Sequence, residues 1–197
     1  RFWSPEFIVQ EFDKLVEMGV RTLRISDEMF LLNQKYYVPL CNLLKERGYG
    51  KELNMWAYSR IDTARKPENL RLIREAGIRW LCLGIENSSK EIRLQVTKGR
   101  FEDVDIRDVV KMIHDADIEI IGNYLFGLPG DTHATMQSTF DLSLELCTMA
   151  WNAYGVMALP GSQLYKEALA KGYDLPNNYA EFSFHSYNTK PLPTEHL

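Results

Sequence analysis

The chain is 197 residues long, with 45% apolar, 12% aromatic and 25% charged residues, which is enough apolar side chain for one large domain or two small ones. Its 23 Lys and Arg against 27 Asp and Glu leave a formal charge of −4, interspersed along the chain, which argues against a dedicated nucleic-acid binder. No apolar run approaches a bilayer span, so neither a membrane anchor nor a leader is expected, and three cysteines fit a reducing, cytoplasmic setting better than a disulfide scaffold.

Ser4 is placed to cap a helix, with Pro5 at its first position and Glu6 at the positive end of the dipole. Ile8, Phe12, Leu15 and Val16 form one apolar stripe, and Gly19 closes it. A strand is predicted near 22–26, running into Ser26-Asp27-Glu28. A helix over 33–48 turns Tyr36, Leu40, Leu43 and Leu44 inward, with Pro39 expected to kink it. There follow a strand at 53–59, a helix at 67–77 and a strand at 79–86. Helices at 89–96 and 103–116 precede a strand at 118–126. A helix from Asp131-Thr132 toward Met149, a strand at 152–159 and a helix at 163–171 complete the pattern. Residues 1–173 therefore read as one alternating α/β domain, and 174–197 as an irregular C-terminal extension. Because the chain opens on Arg1 with a helix, a strand before Ser4 is expected to belong to a longer polypeptide.

Strand and helix alternate five times, with strands about 30 residues apart, the length of one βα unit. That pattern predicts a parallel sheet. A doubly wound sheet would carry a Gly-rich turn after its first strand, and none is present. Four predicted strands instead end in polar or Gly-rich clusters: Ser26-Asp27-Glu28, Ser59-Arg60-Ile61-Asp62, Gly84-Ile85-Glu86-Asn87-Ser88 and Gly127-Leu128-Pro129-Gly130-Asp131. Functional residues at successive strand ends are the mark of a barrel, here an open or incomplete one, since a full barrel needs about 250 residues.

Glu86 ends an apolar strand, where a carboxylate accepts hydrogen bonds from ligand hydroxyls or amines, or caps the next helix. Asn123 sits inside an otherwise apolar strand and must find a partner, in a ligand or across the sheet. The turn at 127–132 is either plain turn chemistry capped by Asp131 or an anion site at a helix start. Lys98 pairs with an anion or is simply solvated, and Asp27 with Glu28 are acid–base groups, a metal pair or a cap. Cys41, Cys82 and Cys147 lack metal-ligand spacing and are expected to be buried thiols, and His114, His133, His185 and His196 form no ligating pair.

Taken in order, Arg1-Phe2-Trp3-Ser4-Pro5-Glu6, Asp27-Glu28-Met29-Phe30, Arg60-Ile61-Asp62, Gly84-Ile85-Glu86-Asn87-Ser88, Lys98-Gly99, the run from Gly122-Asn123-Tyr124-Leu125-Phe126 through Gly127-Leu128-Pro129-Gly130-Asp131-Thr132, and Met157-Ala158-Leu159-Pro160-Gly161-Ser162 resemble the radical S-adenosylmethionine (SAM) enzymes. The group often fused to an N-terminal cobalamin-binding domain is the most similar. The resemblance implies a partial (β/α)6 barrel of the TIM type, lacking its first strand. It also implies SAM and a [4Fe–4S] cluster as cofactors, with cobalamin through another domain in those members that use it, and an electron donor such as flavodoxin or ferredoxin. The substrate would be a small molecule or a peptide.

By the same resemblance, Asp27 and Glu28 hold the methionyl amine of SAM, Lys98 pairs with its carboxylate, and Glu86 and Asn123 take ribose hydroxyls. Arg60 faces SAM or substrate, Ser88 belongs to the Glu86 strand-end segment, and Met157 and Ala158 flank the adenine. The C-x3-C-x2-C motif that ligates the cluster is absent, so its cysteines are expected outside this chain, and the chain alone is expected to be inactive. Asn87-Ser88 replaces the Ser-Gly of many relatives. Two other readings stay open: a cluster-less nucleotide-binding or interaction module, and a conventional acid–base barrel enzyme using Lys98 or Glu86.

Overall fold

The computed structural model describes residues 3–97 and 105–183. Five strands, β1 (Thr22–Arg24), β2 (Asn54–Arg60), β3 (Ile78–Glu86), β4 (Glu119–Phe126) and β5 (Ala150–Gly155), form one parallel sheet in the order β1-β2-β3-β4-β5. The order never reverses, so there is no switch point of the doubly wound kind, and the arrangement is that of a partial barrel. The crossovers are α1 (Pro5–Glu17) before β1, α2 (Gln34–Glu46) and α3 (Tyr49–Glu52) before β2, and α4 (Pro67–Glu75) before β3. Next come α5 (Lys90–Thr97) and α6 (Ile106–Asp115) before β4, α7 (His133–Glu145) before β5, and α8 (Gln163–Ala170).

The described residues divide into two compact units. One comprises 3–85, 105–122 and 146–151; the other comprises 86–97, 123–145 and 152–183.

In the first unit the Ser4 hydroxyl caps α1, accepting from the Phe7 amide at 3.2 Å. Helix α1 packs on α2, α2 on α4, and α4 on α6. The burial of β2 alternates: Met55, Ala57 and Ser59 are buried, while Trp56, Tyr58 and Arg60 on the other face are half-buried. Leu40, Leu44, Leu53, Leu70, Ile73, Ile78 and Leu81 fill the core. The stripe of α2 is Tyr37, Leu40, Cys41 and Leu44, not the predicted Tyr36, Leu40, Leu43 and Leu44. Both sets share helical spacing, and packing chose Tyr37 and Cys41 over their neighbours.

Three sequence expectations are corrected. Strand β1 stops at Arg24; Ile25 still donates to the Trp56 carbonyl at 2.9 Å, and the chain then leaves the sheet toward a short 3-10 segment at Phe30–Leu32. Strand β5 ends at Gly155 instead of 159, so Val156, Met157 and Ala158 are buried outside any strand. Cys147 is exposed, with φ +46°, while Cys41 and Cys82 are buried as expected.

The short α3 was not anticipated, and it is tightly constrained. A Cβ on Gly50 would lie 1.8 Å from the carbonyl oxygen of Glu75 at the end of α4, so only glycine permits this approach. Beside it, Asp13 on α1 accepts two bonds from Arg47, at 3.1 Å from Nε and 3.2 Å from Nη2, and a third from the Tyr49 hydroxyl. Arg47, then Tyr49, hold the Asp13 carboxyl below its ordinary range. The bond to Asp13, reinforced by burial, pushes the Tyr49 phenol up to about 12. This cluster staples α1 to the chain leaving α2.

In the second unit Ile92, Leu128, Val156, Ala158 and Ala168 form a separate apolar core, flanked by Leu125, Leu164, Tyr165, Tyr173 and Leu175. The Ser162 hydroxyl caps α8, accepting from the Tyr165 amide at 3.0 Å.

Gly50→Ala should lower stability by about 3 kcal/mol, because the clash is with backbone, and thermal unfolding of the full-length protein checks it. Tyr49 titrates at about 12 when folded against an ordinary 10. Its contribution is therefore complete below pH 10 and lost as pH rises through 12. Tyr49→Phe should flatten that alkaline loss in unfolding midpoints measured across the same interval.

Candidate functional site

At the end of β3, Glu86 is one of three non-glycine residues with positive φ among those described, at +70°. A backbone in this region persists only where its surroundings impose it. Here the surroundings are a buried polar frame in the second unit. Asn87 is fully buried, and its Nδ2 donates to Asp131 Oδ1 at 3.0 Å. Asp131, only 4% exposed, also accepts from the amides of Gly127 at 3.0 Å and Leu128 at 2.9 Å, and from the Thr135 hydroxyl at 2.8 Å. Buried Arg93 on α5 donates through Nη1 to the carbonyls of Asn87 and Ser88, both at 2.7 Å. Thr139 on α7 accepts from the Ser88 amide at 3.0 Å, donates to the Thr135 carbonyl, and lies 3.2 Å from the Ser88 hydroxyl.

The frame decides the turn at 127–132. Asp131 accepts from the amides of Gly127 and Leu128, so within the turn its carboxylate serves a structural role. It joins the strand end of β3 to the turn after β4 and fixes the direction in which Glu86 leaves the strand. Sequence reasoning missed Arg93, Thr135 and Thr139. The only local signal was a pair of β-branched polar residues on α7, where their helix propensity is poor.

Asn123 is half-buried on β4, and the Nδ2 of Asn152 on β5 donates to its Oδ1 at 3.0 Å. The in-strand amide thus has a partner across the sheet. Met157 and Ala158 are both buried, Ala158 within the apolar core of this unit.

In the first unit Asp27 is half-buried and Glu28 exposed on one turn after β1, with Asp27 Oδ1 3.4 Å from the Met29 amide. Burial first, and then the charge of Asp27, push the nearby Tyr36 phenol upward. Arg60 ends β2 in a bidentate pair with Asp62, both contacts at 2.5 Å, so its charge is matched locally. Lys98 lies outside the described residues. Burial pushes the Cys41 thiol up to about 12 and the Cys82 thiol up to about 11, which disfavours the thiolate a metal requires. Among the described residues no three His, Cys, Asp or Glu side chains are grouped to hold a metal.

Asp131→Ala would leave two buried amides and the Asn87 side chain unmatched. It should cost about 3 kcal/mol, read as a lower urea midpoint in the full-length protein.

Known proteins are similar to this chain in sequence or in fold. The anaerobic magnesium-protoporphyrin IX monomethyl ester cyclase of Cereibacter sphaeroides is 26% identical over 160 residues, covering 77% of this chain and 25% of the cyclase. The hopanoid C-2 methylase of Rhodopseudomonas palustris is 30% identical over 179 residues, covering 87% of this chain and 33% of the methylase. The chain thus spans a quarter to a third of these relatives. The structure of the radical SAM methyltransferase TsrM from Kitasatospora setae, with cobalamin and a [4Fe–4S] cluster bound, superposes with a TM-score of 0.67 at 22% identity, over 76% of this chain and 28% of that one. Coproporphyrinogen III oxidase (HemN) from Escherichia coli matches with a TM-score of 0.53 at 18% identity, over 66% of this chain and 30% of that one. The family model of the Radical SAM superfamily matches residues 1–143, and with it the strand ends from Asp27 to Asp131, so this chain belongs to the radical SAM superfamily of enzymes.

Proposed function

We propose that the intact protein reductively cleaves S-adenosylmethionine and uses the outcome to modify a small molecule or peptide in the cytoplasm, by methylation or rearrangement. The observation that carries this reading is the family match over residues 1–143. Relatives named as a cyclase and a methylase support it. When bound, the cluster and SAM would supply radical chemistry, and a cobalamin-dependent enzyme would draw its methyl transfer from a further cofactor held outside this chain.

The donor set of this chain fits SAM. Glu86 and Asn123 bring a carboxylate and an amide to strand ends, the chemistry a ribose diol requires. Asp27 and Glu28 would attract the methionyl ammonium, with backbone groups of their turn, and Lys98 would pair with the methionyl carboxylate. Arg60, already neutralised by Asp62, would turn toward SAM or substrate as a paired group. Ser88 would support the Glu86 segment from the frame around Thr139. Buried Met157 and Ala158 would supply an apolar wall for the adenine and exclude water from it.

The donor set does not fit the cluster. Cys41 and Cys82 are buried as neutral thiols and no three-ligand group is found among the described residues, which supports the reading that the cluster's cysteines lie elsewhere in the protein and that the chain alone is inactive. An electron donor such as flavodoxin or ferredoxin completes the system.

The test is calorimetric titration of anaerobically purified full-length protein with SAM, alongside iron analysis. Glu86→Gln and Asn123→Ala should each weaken SAM binding about tenfold, the worth of one good hydrogen bond. SAM binding without iron would leave a nucleotide-binding module instead. Oxygen-stable turnover that ignores SAM and disappears in Lys98→Ala would mean acid–base chemistry.

A further inference from the structure

Register places a cation and three aromatic rings on one face of the first unit. Arg24 pairs with Trp56, Trp56 with Trp80, and Tyr58 with Cys82, so these side chains share the face opposite Met55 and Ala57. The Arg24 guanidinium carbon lies 5.5 Å from the Trp56 ring centre and 5.0 Å from that of Tyr58. The two rings are 5.9 Å apart and tilted by 35°. Trp80 is anchored by its indole N–H, 3.1 Å from the sulfur of Met149. All three rings are half-buried, leaving part of each surface open.

Arg24 differs from four other arginines of this unit, whose donors are already taken. Arg60 is spent on Asp62, Arg47 on Asp13, Arg74 on Asp117 and Arg79 on the Gly50 carbonyl. Arg24 is exposed and makes neither a hydrogen bond nor an ion pair with any described residue; its contacts are the two rings. Cys82 on the same face stays a neutral thiol and brings no counter-charge. Arg24 thus sits in cation–π contact with two rings and carries five donors with no anion in its fork.

We propose that this face is the substrate floor, and that it takes a planar ring system carrying a carboxylate: the carboxylate on Arg24, the ring against Trp56, Tyr58 and Trp80. Charge complementarity selects the anion, since an unmatched guanidinium fits a carboxylate in a bidentate fork. The open aromatic surface selects the ring, since flat π-systems stack on it. Cation–π contact with the two rings already restricts Arg24, which reduces the side-chain freedom lost on binding. The assignment deepens the proposed radical SAM function and rests on it for the word substrate.

The test titrates full-length protein with 2-naphthoate and with neutral 2-naphthamide, following quenching of indole fluorescence, and measures SAM binding in parallel. Naphthoate should bind about tenfold more tightly than naphthamide. Arg24→Gln should erase that preference while leaving naphthamide and SAM binding unchanged, and Arg24→Lys should restore only part of it. Trp56→Leu should weaken both ring ligands and spare SAM. Equal affinity for the two ligands, or a preference that survives Arg24→Gln, would overturn the receptor. Failure of the unsubstituted protein to bind SAM would overturn the radical SAM reading instead, and a persisting naphthoate preference would still support the receptor.

Discussion

A carboxylate that is almost wholly withdrawn from water needs donors for its lone pairs, and Asp131 has four: two backbone amides, an Asn side chain and a Thr hydroxyl. Leaving a charge of this kind unmatched in a low dielectric is among the costliest errors a fold can make. Matching it pins the turn after β4, the start of α7 and the residue following Glu86 in one arrangement. Arg93 closes the other side by taking the two carbonyls next to Glu86. The left-handed backbone of Glu86 is affordable because everything around it is fixed. The frame thus fixes the backbone from which the Glu86 side chain departs.

The sheet divides its labour by face. On β2 the alternation of Met55, Ala57 and Ser59 with Trp56, Tyr58 and Arg60 follows from the period of two in an extended chain. One face is closed by helices, as βαβ connections require. The other keeps large, half-buried rings and guanidinium groups. An ordinary closed barrel fills this interior with branched aliphatic side chains. Rings with open surface and an arginine with free donors are what a binding floor requires.

Much of the fold was legible. Ser4-Pro5-Glu6 announced α1, the spacing of strands and helices announced a parallel sheet, and the polar clusters after the strands pointed to a barrel over a doubly wound sheet. The ordered motifs pointed to the family that the comparison confirms. The errors were local. Tyr36 and Tyr37 are adjacent, and helical spacing accepts either, so only the packing partner of α2 could choose between them. The run at 152–159 reads as one strand because apolar residues continue past Gly155, yet the last of them are buried without joining the sheet. Cys147 was expected to be buried because cysteine usually is, but a left-handed backbone between α7 and β5 leaves it exposed.

What the sequence determined by itself is whatever depends on near neighbours: caps, periodicity, the α/β alternation and the identity of the motif residues. Hydrogen-bond geometry and side-chain direction repeat every two or 3.6 residues, so a short window carries that information. Tertiary structure alone decided that Asp131 fills its own turn, that Arg93 and Thr139 brace the residues after Glu86, that Arg60 is neutralised, and that Arg24 is not. Each of those outcomes is the pairing of a charge or a donor, and the long-range ones join residues on different elements. A window that sees one partner cannot tell whether the other is there to meet it.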